Sequence, residues 1–167
     1  MGYWGYFVVG RAERPLAGLG ALPGAEDMTL RTSAPDGWQV WEYPGGDGDI
    51  GSMNDLAART GAPALFGYVM DSDCVVLEAA APRSGAWTAC LARTAMAGYL
   101  GAGHEGLTLE DYFLEPRDAA ERAVVWAAEA GHTVSADDLL AVLTADPDPL
   151  AENLFFRFLD RLGVVPL

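Results

Sequence analysis

The sequence predicts an α+β fold, with an antiparallel or mixed sheet of about five to six strands, helices on one side and a helical C-terminal third. Apolar, β-branched and aromatic runs of strand length fall mainly within residues 3–93, interrupted by one helical signature. Capping signals and a 3.6-residue apolar period dominate residues 94–163. Strands followed by helices, with little alternation between them, favour a segregated α+β arrangement over βαβ units. A chain of 167 residues suits one domain with its own core, spanning 1–167.

The opening GYWGYFVVGR is apolar and aromatic throughout, the pattern of a central strand buried on both faces. RPLAGLGALPG (14–24) reads as a loop or one loose turn. MTLRTSA and GWQVWEYP flank Pro35-Asp36-Gly37 and form a predicted hairpin. Ser52 and Asp55 open a helix that Gly61 stops. Residues 64–71 and 74–80 are two strands, because one strand over 64–80 would run about 55 Å. Asp71-Ser72-Asp73 supplies the turn between them, and 86–93 is a further strand. Thr94 caps a short helix to about Leu100, and Thr108 with Asp111 marks another start. Pro116 stands in the first turn of a helix reaching Gly131. Ser135 and Asp138 open a helix ending near Ala145, and Asp148-Pro149 begins the last, which stops at Gly163. In that last helix Leu150, Leu154, Phe158 and Leu162 form an apolar stripe widened by Phe155 and Leu159, with Phe156 outside it.

The net charge is −14. Residues 1–44 hold five acids against three arginines, residues 45–111 nine against three, and residues 112–167 ten against four. Such a surface repels polyanions, so nucleic-acid binding is not expected. It attracts basic proteins over long range. No run is long and apolar enough to span a membrane, and the start lacks the charged, apolar and small-residue zones of a signal peptide. Cys74 and Cys90 are too few for a disulfide framework, and a cytoplasmic location is the default expectation.

Asp71, Asp73, Cys74 and Glu78 are the nearest approach to a chemical cluster, able in principle to hold a metal or to supply an acid. Turn chemistry accounts for the same residues, with Cys74 a small buried hydrophobe. GGDGDIGSMND fails the calcium-loop spacing, since counting from Asp47 puts Ser52 and Ala58 where glycine and glutamate belong. His104 beside Glu105 in a glycine-rich loop is a candidate general base, which with Asp71 and Asp73 would make a small-ligand or hydrolase-type site. His132 is a helix C-cap. No zinc spacing, phosphate loop or nucleophile elbow occurs, so neither a metal nor a cofactor is implied.

Seven aromatics precede residue 45: Tyr3, Trp4, Tyr6, Phe7, Trp38, Trp41 and Tyr43. As strands they place rings on both faces of the sheet. Either helices cover one face and a loop the other, or part of the cluster is an exposed anchor for a protein or flat ligand.

GYWGYFVVGR, YVMDSDCVV and WAAEAG together resemble an uncharacterised family of small acidic cytosolic actinobacterial proteins, a likeness that implies no activity and assigns no residue. The absence of lysine, with single Ile50 and Gln39, fits a GC-rich source. By size and charge the chain is also similar to immunity proteins that neutralise basic toxins. The leading expectation is a non-catalytic acidic module that binds a basic protein, of the inhibitor or immunity type. Its partner-binding residues would be Asp137, Asp138, Asp146 and Asp148, with Phe156, Trp38 and Trp41 as anchors. A ligand site at His104 and a structural homo-oligomer are the alternatives.

Overall fold

The computed structural model describes residues 2–20, 27–44, 52–103, 109, 112–147 and 150–164. Six antiparallel strands form one sheet: β1 (Gly5–Arg11), β2 (Thr29–Ser33), β3 (Trp38–Pro44), β4 (Ala64–Met70), β5 (Cys74–Ala81) and β6 (Gly85–Leu91). Their order is β2-β3-β1-β4-β5-β6. The opening run is an interior strand, as its unbroken apolarity predicts, paired with β3 through Val8↔Trp41 and with β4 through Val8↔Phe66. Hairpins make the rest. Gly37 at φ 98 turns β2 into β3, and Asp71 and Ser72 at φ 53 and 54 turn β4 into β5.

Alternation along the strands sorts side chains onto two faces. Phe7, Val9, Trp38, Leu65 and Leu77 belong to the larger core, closed by α3 (Pro116–Glu129), α4 (Ala136–Leu143) and α5 (Ala151–Leu162). The opposite side chains, Val8, Trp41, Ala64 and Ala80, meet Leu16 of a short 3-10 turn, Met28, and Met53 and Leu56 of α1 (Met53–Thr60). The C-terminal third is helical and packs on one face, as expected. α1 packs on the other, where its Met53, Leu56 and Ala57 are buried with Val8, Ala64 and Ala80 and the helix lies against β5, β4 and β1. Helix α2 (Arg93–Gly103) packs Met96 into the larger core beside β5 and β6.

The caps follow the sequence closely. Ser52 Oγ accepts from Asn54 N at 3.1 Å, Gly61 ends α1 at φ 70, and Ser135 Oγ accepts from Asp138 N at 3.4 Å. Three details differ. Thr94 lies inside α2, which starts at Arg93 after Ala92 takes φ 57, so the bend comes from the backbone and no threonine cap is used. Leu150 is the residue before α5 and stands 42% exposed, so it drops out of that helix's buried stripe. Phe156 is half-buried, its ring 5.0 Å from that of Phe7. Among the described residues no helix is long and apolar enough to cross a membrane.

Candidate functional site

The Asp71–Glu78 stretch resolves into a structural knot and a helix cap. Asp71 Oδ1 accepts from Gly2 N at 2.6 Å, and Ser72 Oγ accepts from Tyr3 N at 2.7 Å while donating to Glu152 Oε2 at 3.1 Å. Main-chain bonds add Ser72 N to Tyr3 O and Ala151 N to Ser72 O, both 2.9 Å. The turn therefore fastens the chain start and the first turn of α5 to one corner of the sheet. Left-handed backbone is mildly unfavourable for serine, and these bonds offset it. Ser72→Ala is expected to cost about 1–3 kcal/mol, because it strands the amide of Tyr3 and the Glu152 carboxylate. Urea denaturation gives the cost, and faster hydrogen exchange at the Tyr3 amide locates it.

Glu78 points elsewhere, its Oε2 accepting from Met53 N at 3.4 Å at the start of α1. Cys74 is fully buried. Burial, then the neighbouring Cys90, then Asp73 push its thiol up to about 12, so it stays protonated and behaves as a small hydrophobe. The four residues do not converge on one centre, and no group of metal-ligating side chains occurs among the described residues. His104, Glu105 and Asp148 lie outside the described residues. His132 follows α3 and its main-chain N bonds Ala127 O at 2.8 Å, closing the helix through its backbone.

The aromatic anchors are redistributed. Trp38 is 0% exposed and its ring lies 5.8 Å from that of Trp126 on α3. Trp41 is buried at 9% beside the 3-10 turn, and its indole N–H donates to Gln39 Oε1 at 2.7 Å. Trp38 is closed off by α3 and cannot anchor a partner from this position, and Trp41 keeps only a small exposure. On the Trp41 face the register instead aligns Tyr43, Tyr6 and Tyr68 in one row across three strands. Tyr6 and Tyr68 stack at 4.4 Å, and Trp4, 39% exposed, stands 6.3 Å from Tyr68. Gln39 was unremarkable in the sequence. It accepts from Leu16 N and donates to Ala12 O and Arg14 O, holding the loop after β1 over the sheet.

Acids dominate the outer helical surface. Asp118 and Glu121 on α3, Asp137 and Asp138 on α4, and Asp146 beyond it are exposed. The ion pairs seen among the described residues are elsewhere, Arg31–Glu42 at 3.3 Å and Arg161–Asp160 at 2.6 Å.

The other surface with shape is the hairpin β2–β3. Every residue of β2 except Thr32 is exposed. A cavity of about 260 Å³ between this hairpin and α5 is lined by Arg31, Thr32, Val40 and Phe156. A second, of about 310 Å³, opens on the other face beside Leu30, Ser33 and Trp41. A cleft of about 750 Å³ past the hairpin turn contains Arg11, Glu13, Asp36 and Thr60, with no histidine or cysteine to act as base or nucleophile. Compared with protein-family models, curated proteins and solved structures, the chain matches none.

Proposed function

We propose that this chain is a non-catalytic acidic module that binds a basic protein, as an inhibitor or immunity-type protein would. The observation that carries the reading is the set of exposed carboxylates on the helical layer, Asp118, Glu121, Asp137, Asp138 and Asp146, none of which joins an ion pair among the described residues. With a net charge of −14, the uncompensated field steers a cationic partner toward the protein and weakens as salt screens it. The turn at Asp71–Asp73 supports the non-catalytic side of the reading, since Asp71 and Ser72 are engaged in holding the fold together.

The tagged protein, incubated with host lysate at about 0.05 M salt, is expected to retain one basic protein in stoichiometric amount, and to release it by about 0.5 M salt. Neutralising Asp137 and Asp138 together to asparagine should lower the salt needed for release. Retention of no basic protein, or capture indifferent to salt, removes the reading.

A further inference from the structure

We infer that the cleft between the end of β1, the β2–β3 turn and the end of α1 is a binding site for a small zwitterion, a short peptide with a free ammonium and a free carboxylate. The site is separate from the acidic helical layer and adds a ligand to the partner proposed above. Its volume of about 750 Å³ lies in the range of small-molecule sites. Hydrogen bonds fix its walls. Ala12 N donates to Gly37 O and Gly37 N to Ala34 O, both at 3.1 Å, tying the end of β1 to the turn. On the α1 side, Gly61 N donates to Ala57 O at 2.8 Å and the Thr60 hydroxyl to Leu56 O at 3.0 Å.

Opposite charges line this one cleft without pairing. Arg11 lays its stem along Gly37, where a Cβ would come within 3.5 Å of its Cγ, and its Nε donates to Asp36 O at 2.9 Å. The guanidinium is thereby oriented, while its two terminal nitrogens have no partner among the described residues. That planar fork suits a carboxylate. The carboxylates of Glu13 and Asp36 line the same cleft and join no ion pair among the described residues. The C-terminus of α1 at Thr60 and Gly61 adds partial negative charge. Arg59 of that turn lines a different cavity, with Asp55. With Arg14, which lines the adjoining cavity beside Glu13, two arginines stand against two carboxylates. A ligand of either net sign therefore gains little from the summed charge. A molecule carrying both charges can set each against its opposite. The apolar lining is Ala12, Ala34, Pro35 and Ala62, which suits a peptide with small side chains.

The test is an NMR titration of the isotope-labelled full chain with alanyl-alanine. Two controls run beside it: N-acetyl-alanyl-alanine, which lacks the ammonium, and alanyl-alanine amide, which lacks the carboxylate. The expected result is saturable shifts at the Arg11, Gly37 and Gly61 amides. The Kd should be on the order of 0.1–1 mM, because contacts to exposed charges are weak. Each control should bind about tenfold more weakly. In Arg11→Gln, an exposed change that leaves the core alone, alanyl-alanine and its amide should bind alike, since the group that tells them apart is gone. Shifts that never saturate, or that fall outside the cleft, overturn the inference. Equal affinity for all three peptides also overturns it, and none of these outcomes touches the basic-partner reading.

Discussion

Trp126→Ala is expected to destabilise the protein by about 3–5 kcal/mol, a large part of the total stability of an ordinary domain. The helix that carries it is otherwise lined with alanine: Ala119, Ala120, Ala123 and Ala127 are all buried. Those small side chains let α3 lie close to the sheet, and Trp126 supplies most of the volume between them. Its ring packs on Trp38, and its N–H is shared between Ala64 O at 3.2 Å and Ala80 O at 3.1 Å, residues paired across β4 and β5. Alanine would leave a cavity and remove the donor that the two carbonyls share. Trp126→Phe keeps most of the apolar contact and loses the donor, so it should cost about 1–3 kcal/mol. Urea unfolding of both variants separates packing from hydrogen bonding. An alanine variant within about 1 kcal/mol of wild type would show that this helix is not the keystone of the larger core.

The second large effect is at Gly67, in the middle of β4. A glycine in a strand interior ordinarily weakens it, and alanine there would be mildly stabilising. In this position the sign should reverse. A Cβ on Gly67 would lie 2.5 Å from both Cδ1 and Cε1 of Phe155, a rigid ring itself fully buried against the sheet. Gly67→Ala is therefore expected to cost about 1–3 kcal/mol, and a larger side chain more. A double-mutant cycle with Phe155→Leu provides the check. The leucine change should cost less in the alanine background than alone, because it removes the ring that the new methyl strikes. Additive costs would mean that α5 shifts as a body to accommodate the methyl group.

Much of this fold was legible because the signals are local. Period-two apolar runs, the Pro35-Asp36-Gly37 turn, Ser52 and Ser135 at helix starts and Gly61 and Gly163 at helix ends each act within a few residues of themselves. The same locality explains the misplacements. Thr94 has the chemistry of a cap, but Ala92 had already turned the chain, and Leu150 fits the periodicity of α5 one residue before that helix begins. The clamp on the β5–β6 turn was invisible. There Glu129 accepts from Arg83 N at 2.8 Å and Ser84 N at 2.9 Å. Burial pushes the Glu129 carboxyl up, and these donors outweigh it and hold the group below its ordinary value. Residues 46 and 45 apart in the chain carry no mutual signature until the helix is laid across the turn.

The candidate surfaces divide in the same way. Charge is a property of composition, so the acidity followed from counting residues. Which aromatics could meet a partner did not follow. Trp38, Trp41, Tyr6 and Tyr43 are equivalent as strand aromatics, and their fates diverge only when α3 closes over Trp38 and the 3-10 turn packs beside Trp41. Local backbone chemistry let the sequence determine the strands, the helices, their order and the sign of the surface. The tertiary structure decided which face each helix covers, which edge of the sheet stays open, and that Asp71 and Ser72 bind the chain start and α5. Those outcomes depend on contacts between segments far apart in sequence, which no local pattern encodes.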